Sequence, residues 1–384
     1  MKFSKLIKSI TTLTAVTAMA FSLVACGAEE TSNPDNSSTA APTSTEDNSS
    51  TAATGTPAPE ASTPAAEDTA SGTITLVWYP NESAADYQPA RDEIAKLIGQ
   101  ATGKKVEHKL TTDYSIAIEA LASGTAQICF MGAQGYIEAN TKNAAVQPLF
   151  VNSGASGTLD DAIYYSWLSV NKGQESNYMD GDKYSIASIQ GKKISFVSNS
   201  STSGFKVPTN NIITFFSTTD EWKDITVDDL AEGGDDMFFS EVLFGGSHQG
   251  SAVNLLSGKA EVAAFCDTEL NTYMNLVAGE ANKPGAVYEV KADASAPFDT
   301  LVGKQSFVIQ STPVLNGPFA YNSETLSADD TKKIQELFTS DDVANNPLIF
   351  VLADSGKVGM FKKTDKEHFV LVEDAWFNPI REME

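Results

Sequence analysis

Alternating strand and helix patterns from residue 73 onward predict an α/β protein, built as two similar lobes around one cleft. Three observations carry this reading. Short β-branched runs alternate with amphipathic helical windows, the pattern of an α/β sandwich with much parallel sheet. The stretch Leu121-Ala122-Ser123-Gly124-Thr125-Ala126-Gln127-Ile128 recurs, weakly but at a constant offset, as Leu255-Leu256-Ser257-Gly258-Lys259-Ala260-Glu261-Val262. Finally, Asn199-Ser200-Ser201-Thr202-Ser203-Gly204-Phe205 joins an apolar run to a helix-compatible segment. Unpaired N–H groups and the helix dipole make such a turn an anion cradle. Taken locally, the same turn also reads as an ordinary Ser/Thr helix cap.

The N-terminal end is not part of this fold. Lys2, Lys5 and Lys8 precede an apolar run from Ile10 to Val24, the layout of a secretory signal rather than a spanning helix. The run ends in Leu23-Val24-Ala25-Cys26-Gly27, which resembles a bacterial lipobox. That resemblance implies removal of residues 1–25 and lipidation of Cys26. Several acyl chains there would hold the protein at the extracytoplasmic face of the cell membrane. Residues 27–72 contain eight acids, no aromatic residue and no Lys or Arg. Such a segment buries too little surface to offset its ordering entropy, so residues 26–72 read as a lipidated cysteine on a disordered acidic tether. With the tether's eight acids and the leader's three lysines removed from the formal −24, the body carries −19. Without any basic stripe, this charge argues against nucleic acid as a partner. It does not exclude a local anion site, because surface carboxylates beyond about 8–10 Å are screened at physiological salt.

Taken in order, the body begins with a strand at Thr73–Tyr79 and a helix at Glu82–Gly99. A strand at Lys105–Leu110 follows, then a helix capped by Asp113 and stopped at Gly124. Next come a strand at Gln127–Met131 and a helix from Gly135. The second series has strands at Ile194–Ser198, Phe238–Phe244 and Glu261–Cys266. Its helices fall at Asn210–Phe216, Gln249–Leu256 and Thr268–Val277. Strands at Val287–Val290 and Phe307–Gln310 and a helix at Ala328–Phe338 complete the pattern. The repeat offset pairs Tyr114 with His248, each at the start of its helix, and Ala133 with Asp267, each just past its strand. Ligands of α/β sheets sit outside the carboxyl ends of strands, so Tyr114 and His248 would face one site from opposite lobes. Cys129 and Cys266 lie in apolar runs with no metal-ligand spacing, and buried free thiols are expected. Trp78, Trp167, Trp222 and Trp376 read as structural. No metal or cofactor is implied.

With those residues in view, the chain resembles the phosphate/phosphite/phosphonate family of substrate-binding lipoproteins of ABC importers. The likeness runs over about residues 74–382. It is carried by Ser201-Thr202-Ser203-Gly204-Phe205, Thr112-Asp113-Tyr114, Ile128 to Gly132 and Gly245-Gly246-Ser247-His248. It implies a two-lobed type II periplasmic-binding fold with two crossover strands and a ligand clamped between the lobes. The crossings are placed at Tyr164–Val170 and near Ser311–Phe319. Lobe one then spans 73–165 plus 313–384, and lobe two 166–312. The resemblance puts oxyanion binding on Ser201, Thr202 and Ser203, with Tyr114 and His248 as further donors. Tyr164 matches a family tyrosine near the ligand, and also reads as a hinge-packing aromatic. Tyr79 and Gln134 end lobe-one strands on the cleft side and are candidates for contact. Asp267 either accepts a proton from a P–OH group or caps the helix after it. Val314-Leu315-Asn316-Gly317-Pro318 offers no acid where aminoalkylphosphonate binders use carboxylates. The expected ligand is therefore phosphite, phosphate or a small alkylphosphonate. The implied partners are an ABC permease and ATPase, and the implied state is a monomer.

Two other classes remain in view. Ser203, His248 and Asp267 could suggest a hydrolytic triad, but Ser-Thr-Ser-Gly is not the Gly-x-Ser-x-Gly nucleophile elbow. A signalling or adhesion lipoprotein could use the same fold.

Overall fold

The computed structural model describes residues 72–83, 85–357 and 359–383. The leader, Cys26 and all of the tether but Gly72 lie outside the described residues. The described strands, β1–β17 in chain order, form two main sheets.

The first sheet has the order β17-β4-β14-β3-β1-β2. Its members are β1 (Thr73–Trp78), β2 (Lys105–Leu110), β3 (Ile128–Phe130), β4 (Val146–Asn152), β14 (Phe319–Asn322) and β17 (Phe369–Val370). β1 runs parallel to β2 and β3, whereas β14 is antiparallel to both β3 and β4. β1, β2, β3 and β4 therefore point their carboxyl ends the same way. Alternation along β1 sends Ile74, Leu76 and Trp78 to one face and Val77 to the other. On the first face lie Ile94 and Ile98 of α1 (Gln88–Thr102) and Ile334 and Phe338 of α8 (Ala328–Phe338). On the second lie α2 (Tyr114–Ala122) and α3 (Ala133–Lys142).

The second sheet has the order β11-β12-β13-β5-β10-β8-β9. Here β5 is Ile163–Asn171, β8 Lys193–Phe196, β9 Glu241–Phe244, β10 Val262–Cys266, β11 Met274–Ala278, β12 Val287–Val290 and β13 Gln305–Leu315. β8, β9 and β10 are mutually parallel. Their helices are α4 (Val207–Phe216), α5 (Val227–Ala231), α6 (His248–Leu256) and the single turn α7 (Asp267–Leu270). Two small ribbons lie outside the sheets, β6 (Met179–Asp180) with β7 (Lys183–Tyr184) and β15 (Phe350–Leu352) with β16 (Phe361–Lys363). Short helices α9 (Asp341–Ala344) and α10 (Asn378–Arg381) serve the C-terminal part. No described helix is long and apolar enough to cross a membrane.

The chain passes between the sheets along β5 and returns along β13. These two strands pair antiparallel from Asn171 with Ser306 to Ile163 with Leu315, with a bulge between Val308 and Gln310. This is the two-crossover arrangement of a type II periplasmic-binding fold, with a cleft between the lobes.

The internal repeat is structural. Asp113 caps α2 by accepting from Ser115 N–H at 2.7 Å, and Ser247 caps α6 by accepting from Gly250 N–H at 3.0 Å. Both helices stop at a glycine in the left-handed region, Gly124 (φ 77°) and Gly258 (φ 79°). α3 begins at Ala133 and α7 at Asp267, again at the same offset.

Two expectations are corrected. The helix expected at Thr268–Val277 is only α7, after which Met274–Ala278 forms edge strand β11 against β12. Asn271 and Thr272 are weak helix formers, and pairing with β12 together with stacking of Tyr273 on Phe298 (4.6 Å) overrides the helical period. The helix expected from Glu82 begins at Gln88, because short 3-10 turns occupy Pro80–Ser83 and Ala85–Tyr87. Cys129 and Cys266 are buried and form no disulfide, and Trp78 and Trp167 are fully buried.

Phe319, just after the second crossover, holds the aromatic centre of lobe one. Its ring lies 4.7 Å from Phe130, 5.0 Å from Phe150, 5.7 Å from Phe369 and 5.8 Å from Trp78. Phe319→Ala is expected to lower stability by about 3–5 kcal/mol, as for other buried Phe truncations. Urea unfolding measures this, and a loss below about 1 kcal/mol would remove the cluster from that role.

Candidate functional site

The cleft holds a cavity of about 500 Å³, an ordinary size for a small-molecule site. Its walls come from the carboxyl ends of parallel strands in both sheets. β1 supplies Tyr79, β3 supplies Phe130 to Gly132, and β4 supplies Asn152 to Ala155. The segment after β8 supplies Ser201 and Thr202, that after β9 supplies His248, and the end of β10 supplies Cys266 and Asp267. Tyr164 and Tyr165 line it where β5 leaves lobe one.

The hydroxyl turn is a wide helical turn, Thr202–Lys206, leading into α4. Ser201 caps it, accepting from Gly204 N–H at 3.1 Å. A Cβ on Gly204 would meet Val197 at 2.2 Å, so only glycine lets the turn pack on its strand. Thr202 faces the cavity, and its Oγ1 accepts from the backbone N–H of Gln134 at 2.9 Å. Gln134 belongs to α3 of the opposite lobe. α3 has no side-chain cap of its own because its cap position is Gly132. Thr202 therefore supplies the cap from across the cleft. Gly132 leaves room for this, since a Cβ there would sit 2.8 Å from Thr202 Oγ1.

His248 is buried, and its Nδ1 accepts from the Cys266 backbone N–H at 3.1 Å. A backbone N–H can only donate, so Nδ1 carries no proton and Nε2 carries the hydrogen. Burial holds the ring's pKa down to about 3. His248 is thus a neutral donor at physiological pH. Tyr114 is buried at the start of α2 and stacks on Tyr79 at 4.1 Å between ring centroids. Its Oη accepts from Asn81 Nδ2 at 2.6 Å. Tyr164 is half-buried, and desolvation raises its phenol well above the usual value and keeps it protonated.

Asp267 is a buried acceptor. Its Oδ1 takes the Tyr165 N–H at 2.8 Å and its Oδ2 takes Asn282 Nδ2 at 3.1 Å. Desolvation pushes its pKa up to about 6 against these hydrogen bonds. It occupies the first position of α7, whose cap is Cys266. Glu269 also lines the cavity, and desolvation raises its carboxyl above the ordinary range. Lys362 of β16 is the only Lys or Arg among the described lining residues.

Seven of the nine residues singled out from the sequence line this cavity, namely Tyr79, Tyr114, Tyr164, Ser201, Thr202, His248 and Asp267. Ser203 and Gln134 do not. Ser203 is fully buried, and its carbonyl accepts from Ser166 Oγ at 2.7 Å. The Gln134 side chain turns to Glu138 at 2.9 Å, leaving only its backbone N–H toward the cleft. Successive residues of a helical turn point in different directions around its axis, and this separates Ser203 from Ser201 and Thr202. Ser203, His248 and Asp267 do not assemble a triad, because His248 Nδ1 is held by a backbone amide and Ser203 is outside the cavity. Asn81 and Glu269 escaped the sequence reading. Asn81 carries one usable signal, a polar residue two positions past a strand's carboxyl end. Lys362 carries none, since it arrives from a distant ribbon.

The family profile described as an ABC transporter, phosphonate, periplasmic substrate-binding protein matches residues 76–377. A curated relative, the phosphate-import protein PhnD of Mycolicibacterium smegmatis, is 28% identical over 216 residues. That match covers 54% of this chain and 60% of the relative. A Pseudomonas aeruginosa binding-protein component of an ABC phosphonate transporter has the same fold, with TM-score 0.56 and 19% identity. It aligns over 81% of this chain and 85% of its own. PhnD1 of Prochlorococcus marinus, solved with methylphosphonate, gives TM-score 0.55 at 14% identity, over 81% and 96% of the two chains.

Two outcomes are expected from this geometry. Nitrogen-15 NMR of His248 should show the neutral Nε2–H tautomer from pH 5 to 8; an imidazolium signal at pH 5 would contradict it. Thr202→Val removes the acceptor for Gln134 N–H and a cavity hydroxyl. It should weaken binding of a cavity ligand about 5- to 30-fold, the worth of one or two hydrogen bonds, and lower the melting temperature by a few degrees through the unpaired Gln134 N–H while the body stays folded. Calorimetry and thermal melts read both quantities.

Proposed function

Because the chain belongs to the phosphonate periplasmic substrate-binding family of ABC transporters, we propose that it captures a small phosphorus oxyanion for import. The class is phosphite, phosphate or a small alkylphosphonate. The observation that carries this is the convergence of neutral donors from both lobes on one cavity, Thr202 and His248 from one side and Tyr114 from the other. A tetrahedral oxyanion takes hydrogen bonds from several directions at once. Neutral donors can be placed close together without repelling one another, and they work inside an acidic protein because distant carboxylates are screened. The methylphosphonate in the Prochlorococcus neighbour and the phosphate in the mycobacterial relative's name are ligands of the same class.

In this reading Ser201, Thr202, His248, Tyr114 and Tyr164 hold the anion, with Tyr79 packed behind Tyr114. Residues 73–165 plus 313–384 close on 166–312, an ABC permease and ATPase receive the ligand, and lipidated Cys26 anchors a monomer outside the cytoplasm. A second reading is favoured by Asp267 and Glu269, both lining the cavity. These carboxylates suit the ammonium group of an aminoalkylphosphonate.

Calorimetry with phosphite, phosphate, methylphosphonate and 2-aminoethylphosphonate separates the readings. The first three are expected to include a ligand with Kd near micromolar or below, about −8 kcal/mol. Tightest binding of the amine would select the second reading, and no binding tighter than millimolar would end both.

A further inference from the structure

Asn81 joins the two lobes by bonding both Tyr114 and His248. It follows β1 in lobe one and is buried. Its Oδ1 accepts the backbone N–H of His248 at 3.2 Å, and its backbone carbonyl accepts Gln249 Nε2 at 3.1 Å. Both partners belong to α6 of lobe two. Its Nδ2 donates to Tyr114 Oη at 2.6 Å.

The orientation of this amide follows from chemistry. The His248 backbone N–H has only a hydrogen to give, so the Asn81 atom facing it is the oxygen. The atom facing Tyr114 is then the NH₂ group, which has no acceptor capacity. The phenol oxygen must accept there, and its own hydrogen is directed away from Asn81. Tyr114 is one of the residues that line the cavity.

We propose that Asn81 is a positioning residue that ties lobe closure to the orientation of the Tyr114 hydroxyl. This rests on the anion-binding reading above. When the lobes part, Asn81 loses the His248 N–H, and nothing holds its oxygen toward lobe two. The side-chain amide then rotates, and its oxygen competes for the Tyr114 hydrogen. Closure returns that oxygen to His248, presents NH₂ to the phenol, and turns the phenol's hydrogen to the ligand. The donor thus becomes fully competent only in the closed form. A ligand that needs that hydrogen has a higher affinity for the closed state than for the open one, and only such a difference can shift the equilibrium.

The test is a double-mutant cycle on the full chain, with Asn81→Ala, Tyr114→Phe and the double variant titrated with phosphate and methylphosphonate by calorimetry. Each single change is expected to weaken binding about tenfold. The double variant should be no more than about twofold weaker than the poorer single, because Asn81 acts through Tyr114. Fold-changes that multiply, or Asn81→Ala within twofold of the unmutated chain, would overturn the proposal. A purely structural Asn81 would give multiplying effects. If Asn81→Ala does not fold, Asn81→Asp keeps the size and the oxygen facing His248 but cannot donate to Tyr114. It should lose at least tenfold, and binding within twofold would overturn the proposal equally. A chain that binds neither anion before any substitution would instead bring down the ligand reading itself.

Discussion

The structure depends on each lobe completing a helix terminus of the other. Thr202, from lobe two, accepts the N–H of Gln134 in the first turn of α3. Asn81, from lobe one, accepts the N–H of His248 in the first turn of α6. A helix start presents several N–H groups without intrahelical partners, and leaving one buried and unpaired is costly. Closing the cleft satisfies two of them by side chains from opposite directions. The contacts that close the lobes therefore lie among the groups that face the cavity. Further links reinforce this state, with Ser200 Oγ donating to Glu138 at 2.7 Å and Lys206 to the carbonyl of Met383.

The electrostatics of the cleft follow a related logic. The protein is strongly acidic, yet the donors around the cavity other than Lys362 are uncharged. His248 is kept neutral by burial and by the Cys266 amide, and Tyr164 is kept protonated by desolvation. Asp267 is already engaged by Tyr165 and Asn282. It can serve a protonated or cationic partner without acting as a bare charge.

The sequence made the repeat unit legible. The cap Asp113, the stops Gly124 and Gly258, and the matched helix starts at Tyr114 and His248 all rest on local rules. Chain-neighbour chemistry dictates where a helix begins and ends, so these positions could be read without coordinates. The same rules failed at Thr268–Val277. There Asn271 and Thr272 allowed either outcome, and pairing with β12 selected a strand.

The family resemblance placed the crossover region; by itself, the sequence determined the α/β class, the repeat and a hydroxyl-rich turn at Ser201–Gly204 that reads locally as a helix cap or an anion cradle. These depend on periodicity and on backbone N–H groups exposed within a few residues. Only tertiary structure decided which hydroxyl of that turn reaches the cavity, with Thr202 in it and Ser203 outside. Only tertiary structure brought Asn81 to His248 across 167 positions of chain and Lys362 to the rim. Those placements depend on how two sheets meet along β5 and β13, and no local pattern encodes the distance between residues on different lobes.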